Sequence, residues 1–188
     1  MITTMIFYTS DLHIGHANIL RICERPFQSV DEMNEALVEN WNQKVCCSDT
    51  VYVLGDLFFR NRLPASEYLD RMKGRKHLVV GNHDKGWMKQ TDVGKYFESV
   101  SLMTEVTDRG RNITLCHYPM LAWNGRGKGT YHIYGHVHQL EHGYGPILVN
   151  IPHMFNACVD VNHFAPVTLE ELLANNENCR HSAVGQAC

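Results

Sequence analysis

Three short apolar runs punctuate the first half of the chain, each cut off by glycine or polar residues: Ile6 to Thr9, Val51-Tyr52-Val53-Leu54 and Leu78-Val79-Val80. Runs of this length bounded by turn residues read as buried strands. Between the first two, Met33, Leu37, Trp41 and Val45 recur every four positions, which lays one apolar stripe along a helix. Ser29-Val30-Asp31-Glu32 has capping-box spacing and marks its start. A shorter helix is expected from Pro64 to near Gly74, because proline suits the first helical turn and glycine the exit. Strand, helix, strand, helix, strand predicts α/β architecture with right-handed crossovers.

Beyond Asp84 the pattern turns to strands. Asn112 to Cys116 and Tyr131 to Tyr134 are expected strands, and Ile147 to Ile151 and Ala157 to Val161 read as two more, paired antiparallel. Thr168-Leu169-Glu170-Glu171 opens a last short helix by the capping-box pattern. Residues 1–174 are expected to form a single domain, and the polar, small-residue stretch 175–188 a frayed tail.

A chain of 188 residues with 44% hydrophobic content supports one well-cored domain. A net charge of -3 gives no global basic field, so binding to nucleic acid or anionic membrane is not indicated. The N-terminus lacks a basic flank followed by a long apolar run, and no window approaches a membrane span, so neither a signal peptide nor a membrane helix is expected. The cysteines number seven and contain no C-x-x-C pair, which points to a reduced, cytoplasmic protein. The twelve histidines change the picture most, because imidazole is the commonest metal ligand and a proton shuttle near neutral pH.

Their placement is the informative part. Five expected strands end in metal-competent residues: Asp11 and His13, Asp56, Asn82 and His83, His117, and His136 and His138. In D-x-H and H-x-H, a chain that stays extended sends both side chains to one face. Alone, Gly81-Asn82-His83-Asp84 is a polar turn and H-x-H a pair of hydrogen-bonded histidines; together the five ends point to metal. Mixed imidazole, carboxylate and amide ligands exceed the four of a structural zinc. They suit two borderline divalent ions, such as manganese, iron, zinc, cobalt or nickel, with one carboxylate bridging.

Asp11-Leu12-His13, Gly55-Asp56, Gly81-Asn82-His83-Asp84, His117 and Gly135-His136-Val137-His138 resemble, in this order, the signature of the calcineurin-like metallophosphoesterases. The stretch from Val159-Asp160-Val161-Asn162 to Glu171 resembles the end of small bacterial and phage members. The resemblance implies a two-sheet α/β/β/α sandwich with a dinuclear metal site at strand ends. It implies that Asp11, His13 and His138 hold a first metal, Asn82, His117 and His136 a second, and that Asp56 bridges them, with Mn2+ the expected ion. His83 would face the substrate phosphate, stabilising transition-state charge or protonating the leaving oxygen. The expected reaction is hydrolysis of a small phosphoester or nucleotide-like substrate by a metal-bridging hydroxide, since metal binding lowers the pKa of water to about 7. By analogy with small members, diesters are favoured over monoesters.

Protein serine/threonine phosphatases carry a second aspartate three residues after the bridging one, which orients the catalytic histidine; here that position is Phe59. A protein phosphatase is therefore disfavoured, and what orients His83 is left open. Two alternatives stand beside the phosphoesterase: a nuclease, which needs a local basic groove, and a catalytically silent metal-bound scaffold, against which retention of His83 argues. The loop Trp123 to Gly129 reads either as a mobile cover over a phosphate or as a plain exposed loop. His16 and Asn18 read either as phosphate contacts or as a helix start. Asp84 either orients its neighbours or caps the turn, and His132, His142, His153, His163 and His181 are read as structural or surface residues.

Overall fold

The computed structural model describes residues 4–60, 62–138 and 143–185, with side chains in the last stretch as far as 179. The first half runs β1 (Ile6–Thr9), α1 (Ile19–Ile22), α2 (Val30–Lys44), β2 (Thr50–Val53), α3 (Ala65–Leu69), β3 (Arg75–Val79), α4 (Asp84–Met88) and α5 (Val93–Tyr96). The second half runs β4 (Phe97–Ser101), β5 (Met103–Asp108), β6 (Arg111–Cys116), β7 (Tyr131–Tyr134), α6 (Gly145–Leu148), β8 (Met154–Asn156), β9 (Val167–Thr168) and α7 (Leu169–Gly185). Helix α2 begins as its capping box dictates: Ser29 Oγ accepts from Glu32 N at 3.1 Å, and the Glu32 carboxylate reaches back to Gln28 N at 2.8 Å.

The strands form two sheets, β4-β3-β2-β1-β9 and β5-β6-β7-β8. Strands β1 to β4 are mutually parallel with β9 antiparallel at the edge, and β6, β7 and β8 are parallel with β5 antiparallel. Alternation of side chains along the central strands divides the core. Phe7, Val51, Val53 and Leu78 face the helices and pack with Met33, Leu37, Trp41, Tyr68 and Leu69. Tyr8, Leu54 and Val79 face the other way and meet Ile113, Leu115, Ile133 and Phe155 of the second sheet. On that sheet's outer side Tyr134, Leu148 and Met154 pack with Trp123 and Val137. Two sheets flanked by helices are the expected α/β/β/α sandwich.

The second half departs from expectation in three places. Residues 147–151 do not form a strand: Pro146 sits in the first turn of α6, where its fixed φ favours helix, and the run continues as turns. Residues 157–161 are not an antiparallel partner either. The strand is β8, parallel to β7, and the chain beyond it crosses to the end of β1, where Ser10 N donates to Ala157 O and Val159 N to Ser10 O. Helix α7 also runs well past Asn175, because Asn176 is buried and its side chain pairs with both backbone groups of Asn156. Burial of one polar side chain thus extends an element whose composition reads as a tail.

Candidate metal centre

Five loops leave the carboxyl ends of parallel strands β1, β2, β3, β6 and β7, and all open at one rim of the sandwich. Asp11 and His13 follow β1, Asp56 follows β2, Asn82 and His83 follow β3, His117 follows β6, and His136 and His138 follow β7. The sheet hydrogen bonding continues past the strands: His13 N donates to Asp56 O and Ile14 N to Leu57 O, both at 3.0 Å. The segment 11–14 is thereby fixed against 55–59.

The expected extended geometry is absent from these segments. Asp11 (φ 57°), His13 (φ 52°), Asp56 (φ 55°) and His136 (φ 70°) all adopt left-handed backbone. Such conformations cost about 1–2 kcal/mol per residue for L-amino acids and concentrate at functional sites. Side chains separated by two positions therefore converge through sharp local turns instead of through strand alternation. Glycine makes room for them. A Cβ on Gly81 would fall on the Asp56 carboxylate, and one on Gly55 (φ 85°) would meet the His117 ring at 2.6 Å.

The side chains gather into two groups. Asp11, His13 and His138 form one and Asp56, His117 and His136 the other, each with its ligand atoms within 4.8 Å of one another. Asp56 Oδ2 lies between them, 3.7 Å from His13 Nε2 and 3.6 Å from His117 Nε2. His138 Nε2 is 3.6 Å from Asp11 Oδ1. Two ligands about 2.1 Å from a common tetrahedral ion stand roughly 3.4 Å apart, so this spacing is that of donors around a cation.

Hydrogen bonding around the groups points the same way. His117 Nδ1 is 2.7 Å from Leu54 O; a carbonyl only accepts, so Nδ1 carries the proton and Nε2 presents its lone pair inward. Asn82 Oδ1 faces that nitrogen at 3.0 Å. In the neutral ring both atoms are acceptors, and a cation between them reconciles the two. In the other group, Asp11 Oδ1 and both ring nitrogens of His13 are buried without a hydrogen-bond partner, a costly state for polar atoms that a metal ion relieves. Burial above all pushes His13 down to about 2, so its imidazole is neutral, as metal ligation requires; burial also lowers His138, but Cys158 and Asp160 beside it outweigh that and raise it, so this ring gives up a proton when an ion binds. Burial likewise pushes the Asp56 carboxyl up to about 6, against the opposing pull of His117, so its ionised form calls for nearby positive charge.

One wall of the site is buried and the other open. Asp11, His13, Asp56 and His117 are inside, whereas Asn82, His83 and His136 reach the surface. His83 N donates to Asp56 Oδ1 at 2.8 Å, and its ring stands edge-on to Phe59 with centroids 4.6 Å apart. Among the described residues an aromatic ring thus takes the place of the orienting aspartate. His16 meets the same Phe59 at a tilt, with centroids 4.2 Å apart, and its ring lies 5.3 Å from that of His13, so it borders the site, while Asn18 occupies the N-cap of α1 without a side-chain bond.

Asp84 settles the question left by the sequence. Fully buried, its carboxylate accepts from Asp56 N (2.9 Å), Leu57 N (3.0 Å), Gly81 N (2.7 Å) and Trp87 Nε1 (2.8 Å). It ties the β2 loop to the β3 loop and so orients its neighbours. The loop 123–129 is folded onto the outer sheet face instead of over the site: Trp123 packs on buried His132 at 5.4 Å, and Arg126 stacks on Trp123 and donates to Leu121 O. His132 itself bridges Thr114 O and Met120 N, and His153 stacks on Tyr131 at 5.5 Å. The side chains of His142 and His181 lie outside those described.

Sequence reasoning missed the support behind His138. Asp160 Oδ2 accepts from His138 Nδ1 at 2.9 Å and is itself gripped by Arg25 through Nε and Nη2, both at 2.8 Å. Arg25, 4% exposed, also donates to the backbone oxygens of Asp11 and Leu12. Burial raises the Asp160 carboxyl, but the bonds from His138 and Arg25 outweigh it and hold the group well below the usual range. Cys23 lies beside His138 and Asp160; Asp160, held by Arg25, braces His138 from outside. No periodicity marks Arg25, and its partner is 135 residues distant.

The profile described as calcineurin-like phosphoesterase matches residues 4–119. The chain is similar to the uncharacterized protein MJ1445 of Methanocaldococcus jannaschii, 34% identical over 167 residues that cover 88% of this chain and 87% of that protein. It is similar to the gene 66 protein of Mycobacterium phage L5, 31% identical over 159 residues covering 70% and 76%. Among solved structures, the protein of unknown function AQ665 from Aquifex aeolicus superposes with a TM-score of 0.71 at 26% identity, covering 92% of this chain and 99% of that one. With its fold, its strand-end residues and these similarities in agreement, the chain belongs to the calcineurin-like phosphoesterase family.

Proposed function

We propose that this phosphoesterase works with two divalent metal ions, Mn2+ foremost, and hydrolyses small phosphodiesters in preference to monoesters. The observation that carries the reading is the position of Asp56 Oδ2, within 3.7 Å of an imidazole nitrogen from each ligand group. Asp11, His13 and His138 would hold one ion, and Asn82, His117 and His136 the other, with Asp56 shared. When bound, such ions supply Lewis-acid charge and lower the pKa of water towards neutrality.

The chain's own residues do the rest. Asp11 and Asp56 bring negative charge that neutralises the cations, and the Leu54 carbonyl and Asp160 fix His117 and His138 with their lone pairs inward. His83, on the open side, would donate a proton to the leaving oxygen, a step that contributes about 10²- to 10⁴-fold. The bond from its backbone N to Asp56 fixes its main chain beside the ligand groups, and the Phe59 ring packs edge-on against its imidazole.

The test is a substrate panel on metal-loaded protein: aryl monoesters, aryl diesters, cyclic nucleotides and dinucleotides, each with several divalent ions. Higher kcat/KM for diesters supports the reading. Turnover of monoesters alone contradicts the diester preference, and no turnover of any ester contradicts catalysis and favours the scaffold.

A further inference from the structure

A cleft of about 610 Å³ opens beside the two ligand groups and meets them at His83. Phe59, Arg60, Arg62, Gln90 and Thr91 line it together with that histidine, and its lining among the described residues holds no aspartate or glutamate. The Arg60 guanidinium stacks over the Phe59 ring, 5.3 Å from the centroid, and the same ring meets His83 edge-on. The first cation therefore stands one ring away from the proposed proton donor. Arg62 sits on the rim, between this cleft and a smaller hollow bordered by Asp31 and Glu35. Glu35 is already paired with Arg71 at 2.5 Å. In a chain of net charge -3, two arginines in an acid-free cleft are a local reversal of sign.

Guanidinium is the side chain best matched to phosphate, through planar two-pronged hydrogen bonding. Because His83 joins the ligand groups to the cleft, a phosphate ester at the former extends its leaving group into the latter. On the reading that the ligand groups carry phosphoester hydrolysis, we infer that the Arg60–Arg62 cleft binds a second phosphate on the leaving group. The substrate class is then a small diester whose leaving group carries a second phosphate, of the 5′-phosphorylated dinucleotide kind. A cleft of equal volume against the β5–β6 hairpin contains none of the strand-end residues and carries Glu105 as well as Lys128, so it shows no such preference.

The test compares wild type with the Arg60→Met/Arg62→Met variant; both side chains are exposed, so folding is spared. In metal-loaded protein, the ratio of kcat/KM for the 5′-phosphorylated adenosine dinucleotide to that for bis(nitrophenyl) phosphate is expected to fall about 10- to 100-fold, the loss for hydrogen bonds to a charged group. In chelator-treated protein, where turnover does not interfere, the calorimetric affinity for the same dinucleotide is expected to fall by a similar factor. An unchanged ratio overturns the inference and leaves the hydrolysis reading standing. If no ester is turned over but the variant binds the dinucleotide more weakly, hydrolysis fails and the cleft stands as a phosphate site. Equal binding by the two proteins, or no binding at millimolar ligand, overturns the cleft.

Discussion

Asp84→Asn isolates the tie that holds two of the candidate ligand loops together. Each carboxylate oxygen accepts two hydrogen bonds, Oδ2 from Asp56 N and Gly81 N, Oδ1 from Leu57 N and Trp87 Nε1. The amide keeps one oxygen and replaces the other with a donor of the same size. Whichever way it is turned, two buried N–H groups then face an NH2 group that cannot accept. An orphaned buried donor costs about 1–3 kcal/mol, so the substitution is expected to destabilise by about 2–6 kcal/mol, against a total of about 5–15 kcal/mol for a typical domain. Urea unfolding of the metal-free protein measures it, with the midpoint falling and the slope retained. Calorimetry with Mn2+ is expected to show weaker binding, because Asp56 and Gly81 lose their common anchor. A stability within about 0.5 kcal/mol of wild type refutes the reasoning, since that is the range of inconsequential surface changes.

His83→Ala should retain metal binding while kcat falls about 10²- to 10⁴-fold; loss of metal by elemental analysis would show that His83 is a ligand. Asp160→Asn removes the charge that fixes His138 and is expected to weaken binding of one ion about 10- to 100-fold, the usual effect of losing a partner behind a ligand. Calorimetry that finds both ions bound as tightly as in wild type counts against the brace formed by Arg25, Asp160 and His138.

Legibility of the chain followed the range of the physics involved. Strand β7 lies where its apolar run puts it, and α2 starts at the capping box, because both signals are local. The chemistry-bearing residues were legible because each sits just past a short apolar run. Their geometry was not, since Asp11, His13 and His136 turn through left-handed backbone that only the neighbouring loops impose. Ile147 to Ile151 read as a strand because a short apolar run has no unambiguous period, and Pro146 then decided for helix. Arg25 and Asp160 were out of reach for a different reason: a buried ion pair between distant segments leaves no pattern in either. Asp84 resembled any turn aspartate until its four donors, drawn from two loops and a helix, were in place.

The central claim is that two ions, shared through Asp56, carry phosphoester hydrolysis. Its most direct test strips the wild-type protein and the Asp56→Asn variant with a chelator, then titrates Mn2+ while following bis(nitrophenyl) phosphate hydrolysis and bound metal together. No turnover is expected in stripped protein, recovery is expected to saturate as two ions per chain bind, and the variant is expected to show neither full loading nor recovery. Hydrolysis that survives the chelator, or a variant that loads two ions and turns over like wild type, contradicts the claim.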